Sequence, residues 1–463
     1  MLRHVRSSYP AVSSPIPSLA STPADPGRRS VLRAGVGIAA GAALWGLGGQ
    51  ARAAGTLPFA GLNLSGLASN NFVDNAIIDR NYRDISDQHI VAAGACPLFR
   101  LPTTAARFST GQGMPLNATY CDQVEKVLNR LAQRGKVAIL ELHDYMRLPI
   151  KVASKSGYRR DGAGQLIGPD GRAVTDPADQ AVWNGTYRKG NFLYLAYFDP
   201  ADNLLKLYEY RVIGTPGCTL YNAAGLPDLW SRIVQRFRSH PAIFGWGLMN
   251  EPYQGPERNA DGSTLVMADH WLRTATATAA RIFDFDRSHY VFVCGNQYAS
   301  ARLWDQASNN LDTIPDPYDR IVYEAHNYLD DEGRGGGAWT NRNENVAPDT
   351  GIEMVKPFID WLGHRGKRGF LGEHGYPAGN ASAELATKRM LAHLQANNIP
   401  STQWCFGPGW PDNDVLGMSR DVGMDIQVKS NIAAVQPYFD ARLSSYVPPP
   451  PPPPTTTTTT TTS

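Results

Sequence analysis

Charge is scarce in this chain, and what there is nearly cancels. Asp, Glu, Lys and Arg make up 19% of the 463 residues, the net charge is +2 and no long basic run occurs, which argues against nucleic acid or another polyanion as the main partner. Paired cysteines are missing too. The five present (Cys96, Cys121, Cys218, Cys294, Cys405) form no CxxC pair, and their odd number leaves at least one thiol unpaired. Cys294 and Cys405 lie inside apolar runs and read as buried small hydrophobes. With no HExxH or HxH pair, neither a metal nor another cofactor is expected. The first apolar stretch, "GLNLSG", lacks the third glycine and the helix start of a dinucleotide cradle.

Hydrophobic residues reach 42%, enough for a sizeable core, and there are ten Trp and twenty Tyr, whose flat amphipathic rings suit core packing and stacking on sugars. The two ends do not read as fold. In "GRRSVLRAGVGIAAGAALWGLGGQARAAG", Arg28 and Arg29 precede an apolar run too short to span a bilayer, and Ala51–Ala53 offers small residues to a peptidase. This resembles a twin-arginine export signal over residues 1–53, with a long n-region, cleaved near Ala53; it implies a secreted or periplasmic protein with no stable membrane insertion. At the other end, residues 447–463 form a Pro/Thr tract that buries too little to fold and reads as a linker or tail.

Between them, eight short apolar runs alternate with helix-like segments. The runs are residues 59–66, 96–102, 137–145, 243–252, 290–296, 321–328, 368–375 and 401–410. The clearest helix is Tyr120–Gly135, with Val124, Val127, Leu128 and Leu131 on one face and Gly135 at the C-cap position. Further helices are expected over Leu229–Ser239, Ala268–Phe283, Ile352–Gly363 and Ala383–Asn397. Eight strand–helix units predict an α/β fold, a (β/α)8 TIM barrel spanning residues 54–446. Residues 147–227 are too long for a βα loop. Their aromatic, strand-like stretches "NFLYLAYF" and "KLYEYRVI" predict a β-rich insertion after strand 3, either a wall of the binding cleft or a decorative or dimerising excursion.

Each run starts apolar and turns polar at its C-terminal end: Asn63, Arg100, His143, Asn250–Glu251, Asn296, His326–Tyr328, Glu373 and Trp404. In a barrel those ends converge on the face where active sites lie. Glu251 after strand 4 and Glu373 after strand 7 would then oppose each other, and two carboxylates with divergent pKa values can divide the work of cleaving a glycosidic bond. Arg100 and Tyr328 are placed to keep Glu373 ionised, and Asn250 to grip a sugar hydroxyl. Trp404, with Trp304 after strand 5 and Trp410 past strand 8, offers faces for sugar rings. Glu324 falls on the same side as His326 by period-two alternation, whereas His374 points away from Glu373.

"RLP", "LHDY", "MNEP", "YEAHNY", "GEHG" and a strand-8 Trp together resemble the family 5 glycoside hydrolases, a cellulase family, over about Pro58 to Phe439. The family's eight polar positions each have a match: Arg100, His143, Asn250, Glu251, His326, Tyr328, Glu373 and Trp404. The resemblance implies a retaining endo-β-1,4-glucanase with Glu251 as acid/base and Glu373 as nucleophile, acting as a monomer on a β-glucan polysaccharide. β-Mannanase, xyloglucanase and transglycosylase activities stay open within the family. Outside it, a metallohydrolase is disfavoured by the charge of Arg100, and a non-catalytic glycan-binding protein by the presence of both acids.

Overall fold

The computed structural model describes residues 57–68, 83–156, 159–163, 165–175, 186–189, 192–199, 204–259, 261–333, 335–443 and 446–450. The export-signal segment and the Thr tract lie outside these residues. Eight parallel strands close into a barrel: β1 (Ala60–Leu64), β2 (Leu98–Thr103), β3 (Val137–Leu142), β4 (Ile243–Gly247), β5 (Tyr290–Cys294), β6 (Ile321–His326), β7 (Arg368–Glu373) and β8 (Ser401–Phe406). Each pairs with its sequence neighbours, and β8 closes the ring on β1. The expected (β/α)8 barrel is the observed fold, and all eight strands fall inside the apolar runs or within a residue of them.

Local chemistry sets the helices. In α1 (Ala118–Ala132), Tyr120, Cys121, Val124, Val127, Leu128 and Leu131 are buried at helical spacing, and the Asn117 side chain accepts the Tyr120 N–H at 3.2 Å to cap the start. The helices α2 (Gly225–Phe237), α3 (Met267–Phe283), α4 (Thr350–Arg365) and α5 (Ala381–Ala396) begin one to four residues before their expected starts. Gly366, at φ +59°, takes the left-handed position that ends α4.

Inside the barrel, chemistry changes from one side-chain layer to the next. Leu98, Ile139, Phe292, Val322 and Phe370 belong to one buried cluster towards the N-terminal ends of β2, β3, β5, β6 and β7. Two residues further along those strands, on the same face by pleat periodicity, stand Arg100, Glu141, Cys294, Glu324 and Gly372. The apolar plug thus gives way to a layer of buried charge. Glycines make room for it: a Cβ at Gly247 would overlap Glu141, and one at Gly372 would overlap the Glu324 carboxylate.

The segment after β3 is β-rich, as its alternation predicts. Its antiparallel sheet runs in the order Arg147–Ser156, Leu204–Val212, Phe192–Asp199, Thr186–Lys189. Helix α2 resumes the barrel pattern at Gly225, two residues before the expected end of the insertion.

The five cysteines are all buried and unpaired. Gly372→Ala should lower stability by about 2 kcal/mol, the usual cost of overpacking a filled interior, with the folded circular-dichroism spectrum retained. Urea unfolding measures it; an unchanged midpoint would show that the charged layer has slack.

Candidate active site

Arg100, fully buried in the middle of β2, is the hub of the barrel mouth. Its Nη1 donates to Glu373 Oε1 at 2.8 Å and to Asn63 Oδ1 at 3.0 Å, and its Nη2 donates to Asn250 Oδ1 at 2.7 Å. Its Nε lies 2.8 Å from Glu324, and its Nη1 lies 3.3 Å from Glu141. Four strands and the turn after β4 therefore converge on one guanidinium, a fork that suits several fixed oxygens.

Two histidines complete the arrangement. His143 Nδ1 is 2.6 Å from Glu141, and its ring stacks on Trp404 with centroids 5.2 Å apart and planes within 12°. His326 bridges acids on both sides: Nδ1 is 2.6 Å from Glu251 Oε1 and 3.6 Å from Glu373 Oε2, while Nε2 is 3.1 Å from Glu324. Tyr328 donates its hydroxyl to Glu373 Oε2 at 2.8 Å.

Burial alone would push the Glu373 carboxyl up. The charges of His326, Arg100 and His143, with the Tyr328 hydroxyl, override it and hold the pKa at about 2. For His326 burial acts downward, but Glu373 and the hydrogen bond to Glu251 carry its pKa well above the ordinary imidazole value. His143 is likewise raised against burial, chiefly by Glu141. Glu251 is only partly buried, and its backbone, at φ +41°, turns through the left-handed region as the chain leaves β4. One carboxylate oxygen of Glu251 lies within 4.8 Å of one of Glu373.

Among the described residues, two trios bring donor atoms close enough for a metal: Glu251–His326–Glu373 and Cys294–Glu324–His326. In both, the imidazole already bridges carboxylates, and Arg100 stands 2.8 Å from Glu373 and from Glu324. A dication there would face that guanidinium, so the donor set suits a protonated imidazole better.

The structure brings Arg100, His143, Asn250, Glu251, His326, Tyr328, Glu373 and Trp404 together at one mouth. Trp410, half-buried, meets Trp404 edge-on with ring centroids 6.2 Å apart. Trp304 requires correction. It is fully buried, packed on Phe358 and Trp361 with centroids 4.5 and 5.5 Å away, and presents no face to a ligand. The exposed ring of that segment is Tyr298, carried outward by left-handed residues at Gln297, Tyr298 and Ala299 and stacked on Tyr253 at 4.7 Å and 11°. Neither tyrosine was singled out by the sequence. Glu141 and Glu324 also went unassigned, although each stands two residues before a site histidine, and period-two alternation carries the signal. His374 is buried, with burial pushing its pKa down to about 3, and lies apart from the acids' network.

Tyr328 has its own scaffold. The buried Asp330 side chain accepts the backbone N–H groups of Gly336, Gly337, Ala338 and Trp339 at 2.9–3.1 Å. That fold of chain lays Gly337 against the Tyr328 ring, where a Cβ would come within 3.2 Å of Cγ.

The chain matches the family Cellulase (glycosyl hydrolase family 5) over residues 63–409. It is 34% identical over 155 residues to endo-beta-1,4-glucanase A of Emericella nidulans, covering 33% of this chain and 45% of that protein. To endoglucanase 3 of Humicola insolens it is 36% identical over 193 residues, 41% of this chain and 45% of that protein. The chain thus spans somewhat less than half the length of these curated relatives. Pseudomonas stutzeri endoglucanase Cel5A shares the fold with a TM-score of 0.62 at 24% identity, over 86% of this chain and 99% of that one.

Asp330→Ala should cost about 3 kcal/mol in urea unfolding, because several largely buried N–H groups lose their acceptor. Tyr328→Phe removes a donor that favours ionised Glu373, so its pKa rises and the acid limb of the kcat/KM profile should move to higher pH. An acid limb that stays put would refute that role for the hydroxyl.

Proposed function

The chain belongs to glycosyl hydrolase family 5, the cellulase family, and from that premise we propose that it is an endo-acting β-1,4-glucanase working by double displacement. The observation that carries this reading is the acid pair. Glu251 and Glu373 face each other with oxygens within 4.8 Å, and basic groups hold Glu373 ionised. Carboxyl groups about 5–5.5 Å apart belong to retaining glycosidases, whereas inverting enzymes keep them about 6.5–9.5 Å apart to admit a water.

In the first step Glu373 attacks the anomeric carbon. The glycosidic C–O bond breaks, and Glu251 gives its proton to the departing oxygen. In the second, Glu251 takes a proton from water as that water attacks the glycosyl ester, releasing the sugar and restoring both acids. Arg100 fixes Glu373 and also orients Asn250, whose Nδ2 lies 3.4 Å from His143 Nε2 and has a second N–H to hold a hydroxyl of the reacting sugar. Trp404, supported by His143, lies under that sugar, and Trp410 extends the floor. On the acid's side of the cut, the exposed ring of Tyr298 receives the leaving chain; its backbone N–H donates to the carbonyl of Pro252, the residue after Glu251, at 3.2 Å.

Glucan as substrate is supported by the names of the relatives and by a Pseudomonas stutzeri endoglucanase Cel5A structure in complex with cellobiose. Export is part of the same reading, with the catalytic unit following a signal removed near Ala53 and preceding the Pro/Thr tail. Among the described residues no helix is long and apolar enough to cross a membrane.

Glu373→Gln and Glu251→Gln should each lower turnover of carboxymethylcellulose by at least about 10³-fold with the fold intact. NMR of the first product should show the β-anomer. Wild-type-like activity in either variant would sink the residue assignment, and hydrolysis confined to mannan or xyloglucan in a substrate panel would replace the glucan.

A further inference from the structure

The inserted sheet begins at Arg147, five residues past the end of β3. This side chain is almost wholly buried, yet it serves none of the acids at the mouth. Its Nε and Nη2 donate to both oxygens of Glu257 at 2.6 and 2.9 Å. Its Nη1 donates to the Tyr145 carbonyl at 3.2 Å and its Nη2 to the Tyr253 carbonyl at 3.1 Å. The guanidinium carbon lies over the Tyr253 ring, 3.7 Å from its centroid, and Tyr298 stacks on the same ring with centroids 4.7 Å apart. Arginine, tyrosine and tyrosine thus form one series of contacts from the root of the insertion to the exposed ring of Tyr298, whose backbone N–H donates to the carbonyl of Pro252, the residue after Glu251.

The root is tied down on its other side as well. Arg147 pairs in register with Val212 on the neighbouring strand, and Ile213 N–H donates to the Met146 carbonyl at 2.9 Å. His270, on α3, contacts the Ile213 carbonyl at 2.8 Å. The sheet cannot shift without moving Arg147, and Arg147 cannot move without loosening Tyr253.

We propose that the inserted sheet sets the leaving-chain side of the binding site, with Arg147 as the positioning residue that holds the Tyr253–Tyr298 stack where a glucose ring lands. The inference rests on the glucanase reading and adds a purpose for the segment between β3 and α2. A cation–aromatic contact shielded from water is among the stronger of its kind. A lysine keeps the charge but loses both the flat face and the fork to Glu257.

The test compares two substrates. Cellopentaose needs a sugar seated on Tyr298; an aryl β-cellobioside, whose leaving group is a phenolate, does not. Arg147→Met should lower kcat/KM for cellopentaose about tenfold or more, largely through KM, and shift the cleavage pattern, while the aryl cellobioside stays within about twofold. Arg147→Lys should fall between Met and wild type. If the Met variant does not fold, the Lys variant reads the same ratio. Equal losses on both substrates, or no loss on either, would overturn the proposal by showing a purely structural residue or an idle one. A wild-type enzyme inactive on both substrates would instead remove the glucanase reading, and this inference with it.

Discussion

A single buried guanidinium holds the mouth of this barrel together. Arg100 has contacts with Asn63, Glu141, Asn250, Glu324 and Glu373, which come from β1, β3, β6 and β7 and from the turn after β4. Three carboxylates in an interior layer would repel one another and resist burial if they stood alone. Here they meet three basic groups, Arg100, His143 and His326, spaced so that each acid touches at least one at 2.6–3.3 Å. The same contacts that make burial tolerable depress the pKa of Glu373, so the electrostatics of folding and of the proposed catalysis are one arrangement.

The barrel delivers that arrangement because its strands are parallel. All eight C-terminal ends point the same way, so a polar residue at the end of any run arrives at the same face. The step from Leu98, Ile139 and Val322 to Arg100, Glu141 and Glu324 takes two residues on each strand. The plug below excludes water from beneath the site, which strengthens every charge contact above it.

Much of this was legible in the sequence. Eight apolar runs ending in polar residues specify strands, their direction and the face on which their ends meet. That is why the two acids and their immediate neighbours could be named from spacing alone. What escaped was decided by loops. Trp304 and Tyr298 lie six residues apart in one connection, and three consecutive left-handed residues decide which ring faces outward; periodicity carries no trace of that turn. Glu141 and Glu324 were visible as alternation partners of the histidines, yet nothing in the pattern announced the glycines on β7 and β4 that leave them room. The insertion showed its strands through alternating aromatics, but its order, with the first and last strands paired, depends on contacts between residues 48 to 65 positions apart.

The left-handed backbone at Glu251 has a consequence for how such a protein can change. A side chain at that φ costs roughly 1–2 kcal/mol that a glycine would not. Position 251 is therefore a site where the substitution most comfortable for the backbone is also one that leaves no carboxyl group. Drift towards stability alone would erode the proposed acid, so under that reading its retention in a lineage would record selection for turnover, and a descendant freed from that selection would be expected to lose it early.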